Sequence, residues 1–180
     1  MIIEYLIGHF SYKILFIWSL LEGEIGLALA GFMVKQGNFQ IEYVIPIAIS
    51  GAFLGDLSLF LAGRIFKTRM EALLQNHRKK VTKIEEWFRL YGSWIIIFER
   101  FIYGTHIPAL LTLGVSGYSF VKFLLLDIIG VILWAITFSA LGYLFGQAVI
   151  DILTLIQRHL TIVLLAALFF YLIYLLQKEE

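Results

Sequence analysis

The chain has no cysteine and little charge. Without cysteine there is no disulfide framework, no zinc-finger spacing and no thiol nucleophile to place. Charged residues make up 15% of the 180-residue chain and hydrophobic residues 61%; an ordinary soluble domain has about 25% and roughly 45–50%. This is the composition of a membrane protein. At about 20 residues per crossing, the chain can cross about four to six times with no room for a separate soluble domain. A net charge of +1 argues against a nucleic-acid partner. A cleaved signal peptide is not expected, because the start MIIEY is acidic rather than basic, and Glu22 and Glu24 would fall between the apolar region and the Ala28-Leu29-Ala30 site.

The small net charge hides an asymmetry. Eight of the fourteen Lys and Arg (Arg64, Lys67, Arg69, Arg78, Lys79, Lys80, Lys83, Arg89) lie between residues 64 and 89. That places the loop in the cytoplasm by the positive-inside bias. Within it Phe66, Met70, Leu73, His77, Val81, Ile84, Phe88 and Tyr91 recur every three or four residues. The spacing predicts an amphipathic segment over 64–92 lying along the inner membrane surface, or else packing on another protein.

Residues 160–176, LTIVLLAALFFYLIYLL, carry no charge and read as a transmembrane helix. Residues 41–63 and 118–143 each hold one interior acid, Asp56 and Asp127. A central Asp costs roughly 3 kcal/mol and each Leu, Ile, Phe or Val returns about 0.3–0.6, so ten apolar neighbours outweigh it and both segments insert. Residues 93–114 do not. Glu99 and Arg100 together cost about 6 kcal/mol against about 5 returned by the apolar residues around them, before His106 and the helix breaker Pro108 are counted. Residues 14–34 show the same near-cancellation, with Glu22, Gly23 and Glu24 between two short apolar arms.

Charge and irregular backbone persist at membrane depth only where protein or a water-filled cavity covers them. The expected fold is therefore an all-α polytopic membrane protein with re-entrant hairpins at about 14–34 and 93–114. Each hairpin is followed by a span, and the two units are oppositely oriented as an inverted repeat. A C-terminal span follows, which leaves the C-terminus cytoplasmic. Gly51-x-x-x-Gly55 and Gly142-x-x-x-Gly146 suggest close helix approach.

Three blocks, GAFLGDLSLFLAGRIF (51–66), FERFIYGTH (98–106) and GVSGYSFVKFLLLDIIGVILW (114–134), resemble the DedA family, also called the SNARE-associated or VTT-domain family. Gly55, Asp56, Gly63 and Arg64 occupy the family's first motif; Arg100, Phe101 and Gly104 its second; Gly114, Phe123, Gly130 and Trp134 its third. Tyr103 stands where Pro is usual and His106 where a second Arg is usual. LEGE resembles a contracted form of the family's paired acids, with Glu22 and Glu24 in those places.

The resemblance implies a protein that moves lipids between leaflets of the bacterial inner membrane. The implied substrates are undecaprenyl phosphate or a phospholipid such as phosphatidylethanolamine, with dependence on the proton gradient. It implies that hairpin acids and arginines do the work. A headgroup phosphate would meet Arg100, His106 and the Gly104–Pro108 break, since guanidinium suits phosphate oxygens and a helix N-terminus attracts anions. Imidazole titrates near neutrality where guanidinium does not, so the grip of His106 would depend on pH. Glu22, Glu24 and Asp56 are the expected proton-coupling acids. Glu99 and Asp127 are expected to line the cavity, although Asp56 pairing with Arg64 and Asp127 with Lys122 is an equally good structural account. No metal, cofactor or enzymatic activity is expected, and self-association into a homo-oligomer is compatible with the composition. Three rivals stand beside this reading: a noncatalytic envelope assembly or chaperone subunit, a membrane phosphatase built on Arg100 and His106, and an intramembrane serine protease using Ser116 of Gly-Val-Ser-Gly with His159 as base.

Overall fold

Ser11 adopts an extended conformation, and its hydroxyl accepts the Ile14 N–H at 3.4 Å. This capping starts helix α1 (Tyr12–Leu20). The computed structural model describes residues 10–21, 23–75, 78–102 and 104–178, with the backbone alone at 80, 149, 150 and 152–178. After α1 the chain turns at Leu21–Gly23 into α2 (Glu24–Lys35), and α3 (Ile41–Ile65) follows. The basic segment forms two helices, α4 (Lys67–Gln75) and α5 (Arg78–Tyr91). Next come a short 3₁₀ turn at Gly92–Trp94, the single-turn α6 (Ile95–Phe98), a second 3₁₀ turn at Glu99–Phe101, α7 (His106–Val115) and α8 (Phe120–Lys178).

The two helix-turn-helix units close at their bases in matching ways. In the first, the Gln40 N–H donates to the Tyr12 hydroxyl at 2.9 Å, and the Tyr12 ring stacks on Phe39. In the second, the Tyr118 hydroxyl donates to Ser93 Oγ at 2.6 Å. The second arm of each unit ends at a glycine with positive φ, Gly37 at 77° and Gly117 at 73°. Beyond these glycines the Asn38 and Tyr118 N–H groups bond back to Met33 and Leu113 carbonyls. That is a Schellman cap, and its left-handed residue favours glycine for want of a Cβ.

Packing places the units at opposite ends of α3. Helix α1 lies along the first half of α3: Tyr12 meets Tyr43 edge-on, and the Phe16 and Leu20 carbonyls abut Gly51 and Gly55. Helix α7 lies along the second half, where Gly63 abuts the Leu111 carbonyl and Gly114 the Phe60 carbonyl. The remaining arms pack on α8. Gly130 faces Ile97 of α6, while Ser139, Gly142 and Gly146 face Gly31, Ala28 and Phe32 of α2. Both glycine pairs singled out in the sequence thus receive a hairpin arm. One core cluster joins α1, α2, α3 and α8 through Leu15, Leu27, Ala48 and Trp134. The other joins α3, α6, α7 and α8 through Phe60, Ile96, Leu110 and Phe123.

The outside is apolar. Helices Ile41–Ile65 and Phe120–Ala148 are long and apolar enough to cross a bilayer, yet only 39% and 33% of their most apolar windows are buried in the protein. Leu54, Leu125, Ile136 and Leu144 are exposed. Such faces suit a lipid solvent rather than water. The amphipathic stripe of the basic segment divides: Ile84 is buried and Phe88 tilts against Tyr118, whereas Phe66, Leu73 and Tyr91 remain exposed. Helix α8 is continuous for 59 residues. Neither Gly nor Pro follows Gly146, so nothing in the backbone chemistry interrupts it. Residues 160–176, expected as a separate crossing, lie in its last part, with side chains outside the described residues.

Gly63 tests the close approach. A Cβ there would sit 2.5 Å from the Leu111 carbonyl oxygen, so Gly63→Val is expected to destabilise the protein by about 1–3 kcal/mol through overpacking. Leu144→Ala, on an exposed face, should stay within about 0.5 kcal/mol. Unfolding in detergent micelles measures both; equal stabilities for the two variants would refute this packing.

Candidate functional site

Asp56 is buried on α3, where the end of α1 and the beginning of α7 approach the same helix. An isolated buried carboxylate is strongly disfavoured, and its partners come from the second hairpin. Arg100 donates from Nη2 to Asp56 Oδ2, with the two side chains 6% and 4% exposed. His106 Nε2 lies 3.0 Å from Asp56 Oδ1, and His106 Nδ1 lies 2.7 Å from Glu99 Oε1. The Arg100 guanidinium also covers the Trp134 ring at 5.1 Å from its centroid. This is a second favourable contact for a desolvated cation. Asp127 of α8 completes the group, its carboxyl within hydrogen-bonding reach of Asp56.

The local backbone accounts for this convergence. The chain leaves the helical conformation at Ile102, and Gly104 adopts φ 75°. Helix α7 then begins at His106, so Pro108 falls in its first turn, where no intrahelical acceptor awaits its missing N–H. The break lies at Ile102–Thr105, slightly before the expected Gly104–Pro108. The Thr105 hydroxyl donates to the Ile102 carbonyl at 2.8 Å and satisfies one acceptor freed by the break.

A cavity of about 10 Å³ is lined by Ser19, Glu24, Ala52, Asp56, Arg100, His106 and Trp134. It has room for about one water molecule. Four of the residues singled out in the sequence, Glu24, Asp56, Arg100 and His106, are thus brought together from two hairpins and a span. Glu99 and Asp127 are buried behind them; Gly104 is exposed at the break, and Glu22 lies outside the described residues. Asp56 takes its partners from the second hairpin rather than Arg64, which donates to the Tyr118 carbonyl at 3.4 Å. His106, expected to face a ligand, has both ring nitrogens against carboxylates. A neutral imidazole donates from only one nitrogen, so this bridge needs a further proton on the ring or on one of the acids.

Ser19 and Trp134 were not anticipated as lining residues. Both left a signal. Ser19 is the one hydroxyl residue in ILFIWSLL, and Trp134 follows Asp127, Gly130 and Val131 at helical spacing on one face of α8. Four buried atoms of the cluster, Ser19 Oγ, Glu99 Oε2, Arg100 Nη1 and Asp127 Oδ2, have no hydrogen-bond partner among the described residues. Buried donors and acceptors without a partner are uncommon in folded proteins, and these four belong to residues of the same polar cluster or its cavity lining. Ser116, the nucleophile of the protease reading, donates to the Leu113 carbonyl at 2.9 Å in the C-terminal turn of α7. The side chain of His159 lies outside the described residues.

Two helices long and apolar enough to cross a bilayer, with a buried polar cluster between them, are consistent with a helical membrane protein. The VTT domain matches residues 21–144, and the chain belongs to this family, also known as DedA. It is 30% identical to the inner membrane protein YohD of Escherichia coli over 86% of this chain and 81% of that one. It is 25% identical to undecaprenyl phosphate transporter A of Bacillus subtilis over 90% and 84%. The undecaprenyl phosphate transporter A of Staphylococcus aureus is 26% identical over 99% and 98%. No solved structure gives a significant match.

Removing one partner of a buried ion pair leaves the other uncompensated, so Asp56→Ala is expected to cost about 3–5 kcal/mol in unfolding free energy. The double variant Asp56→Leu/Arg100→Met should recover most of that loss. A double variant no more stable than Asp56→Ala alone would show that the pair does not organise this core.

Proposed function

We propose that this protein carries a phosphate-bearing lipid headgroup between membrane leaflets, with undecaprenyl phosphate or a phospholipid such as phosphatidylethanolamine as substrate and a proton moving with it. The observation that carries the reading is the meeting of Arg100, with one guanidinium nitrogen unpartnered among the described residues, and the first residues of α2 and α7 at one buried cavity. Helix N-termini present unpaired N–H groups and positive partial charge, and guanidinium complements phosphate oxygens. The names of the two undecaprenyl phosphate transporters support the same substrate class.

In this reading the two units are re-entrant hairpins that enter from opposite faces, as an inverted repeat. The support is that their bases close at opposite ends of α3 and their second arms exchange spans, α2 on α8 and α7 on α3. Entry of a headgroup requires the tips to part, since the cavity admits about one water. Arg100 must then exchange Asp56 for phosphate. The cluster holds four acids, Glu24, Asp56, Glu99 and Asp127, against Arg100 and His106. An added anion meets net repulsion unless protons accompany it, which is the physical case for coupling.

Reconstitution tests this directly. Purified protein in phosphatidylethanolamine–phosphatidylglycerol liposomes should move labelled undecaprenyl phosphate or labelled phosphatidylethanolamine across the bilayer. Arg100→Gln should slow it on the order of tenfold to a hundredfold, matching about 1.5–3 kcal/mol for a hydrogen bond to a charged group, and Arg100→Lys should fall between. Wild-type protein that moves neither lipid would favour the noncatalytic assembly reading.

A further inference from the structure

Asp127 is the buried acid that headgroup binding leaves unused. It is 1% exposed on α8, and its Oδ2 has no partner among the described residues. The groups that face it are Asp56 from α3 and Glu99 and Arg100 from the 99–101 turn; His106 from α7 bonds the Asp56 oxygen that Arg100 does not. The two cations are already engaged. Arg100 is bound to Asp56 and covers Trp134, while His106 bridges Asp56 and Glu99. Asp127 therefore has the Asp56 carboxyl group within hydrogen-bonding reach and, among the described residues, no cation bonded to it.

Two carboxyl groups hydrogen-bond to each other only when one of them carries a proton, because an ionised carboxylate offers no donor. Without that proton they would be two like charges side by side in a low dielectric. We propose that Asp127 holds the proton that accompanies the headgroup and delivers it to Asp56, and so acts as the switch that frees Arg100. The Asp127 O–H bond breaks as an O–H bond forms on Asp56. Asp56, now neutral, loses its charge attraction for Arg100, and the guanidinium takes the phosphate. Asp127, left as a carboxylate, accepts a replacement proton from water entering with the headgroup. On release the Asp56 proton returns to Asp127, whose own proton leaves to water, so one proton crosses with each headgroup.

This inference rests on the lipid-transport reading, and the experiment separates the two. Infrared spectra of the purified full-length protein at neutral pH should contain a carboxylic-acid C=O stretch that disappears in Asp127→Asn and persists, displaced, in Asp127→Glu. In liposomes the wild type should move labelled lipid faster under an imposed pH gradient than without one. The two rates should coincide in Asp127→Asn, and the difference should return in Asp127→Glu. An acid band unchanged in Asp127→Asn, or gradient stimulation surviving in that variant while the wild type transports, overturns the role of Asp127. Wild-type protein that moves no lipid overturns the transport reading itself, whatever the infrared band shows.

Discussion

The ion pair between Asp56 and Arg100, buried partway along α3, is the constraint on which the other features depend. Desolvating two charges costs more than their attraction returns unless further hydrogen bonds and close contacts surround them. Here His106 bonds the second Asp56 oxygen, Trp134 covers the guanidinium, and hairpin ends from both units close over the pair. Closing them that tightly requires backbone-to-backbone approach at Gly55, Gly63 and Gly114. The glycines in the spans and the charges at the hairpin ends are thus parts of one arrangement. The outer faces of α3 and α8 carry exposed leucine and isoleucine, and this cluster forms the polar interior between them.

The exchange of arms ties the two halves together. Each first arm packs on the span of its own unit and each second arm on the span of the other, so a shift of α7 along α3 also moves the Arg100 contact with Trp134 on α8. Glycine-mediated contacts and the central ion pair thus link both units to both long helices. The small cavity is bounded by the ends of both units and by both long helices.

Several parts of this arrangement were legible in the sequence because they depend on local energetics. The near-cancellation of apolar gain and charge cost in residues 14–34 and 93–114 marks segments too polar to form one long apolar helix, and each is divided between two helices in the structure. Gly51, Gly55, Gly142 and Gly146 announce close packing because lack of a side chain has no other advantage in a span. The partner of Asp56 was not legible. Arg64 lies two helical turns away and Arg100 forty-four residues away, and only tertiary packing brings the second to it. The bridge from His106 to two carboxylates depends on the same long-range placement. Hydropathy separates residues 118–143 from 160–176 as apolar runs but holds no information on a turn between them, and without Gly or Pro after Gly146 the helix runs on.

The most direct measurement concerns sidedness, and the absence of cysteine makes it accessible. Single cysteines at Ser11, Asn38, Ser93 and Ser119 mark the bases of the two units and can be probed with membrane-impermeant thiol reagents from either face. The account predicts labelling of 11 and 38 from one face and of 93 and 119 from the opposite one. Labelling of 11 and 38 from opposite faces would mean that the first unit crosses the membrane outright, and the meeting of two incomplete passes around Asp56 and Arg100 would be wrong.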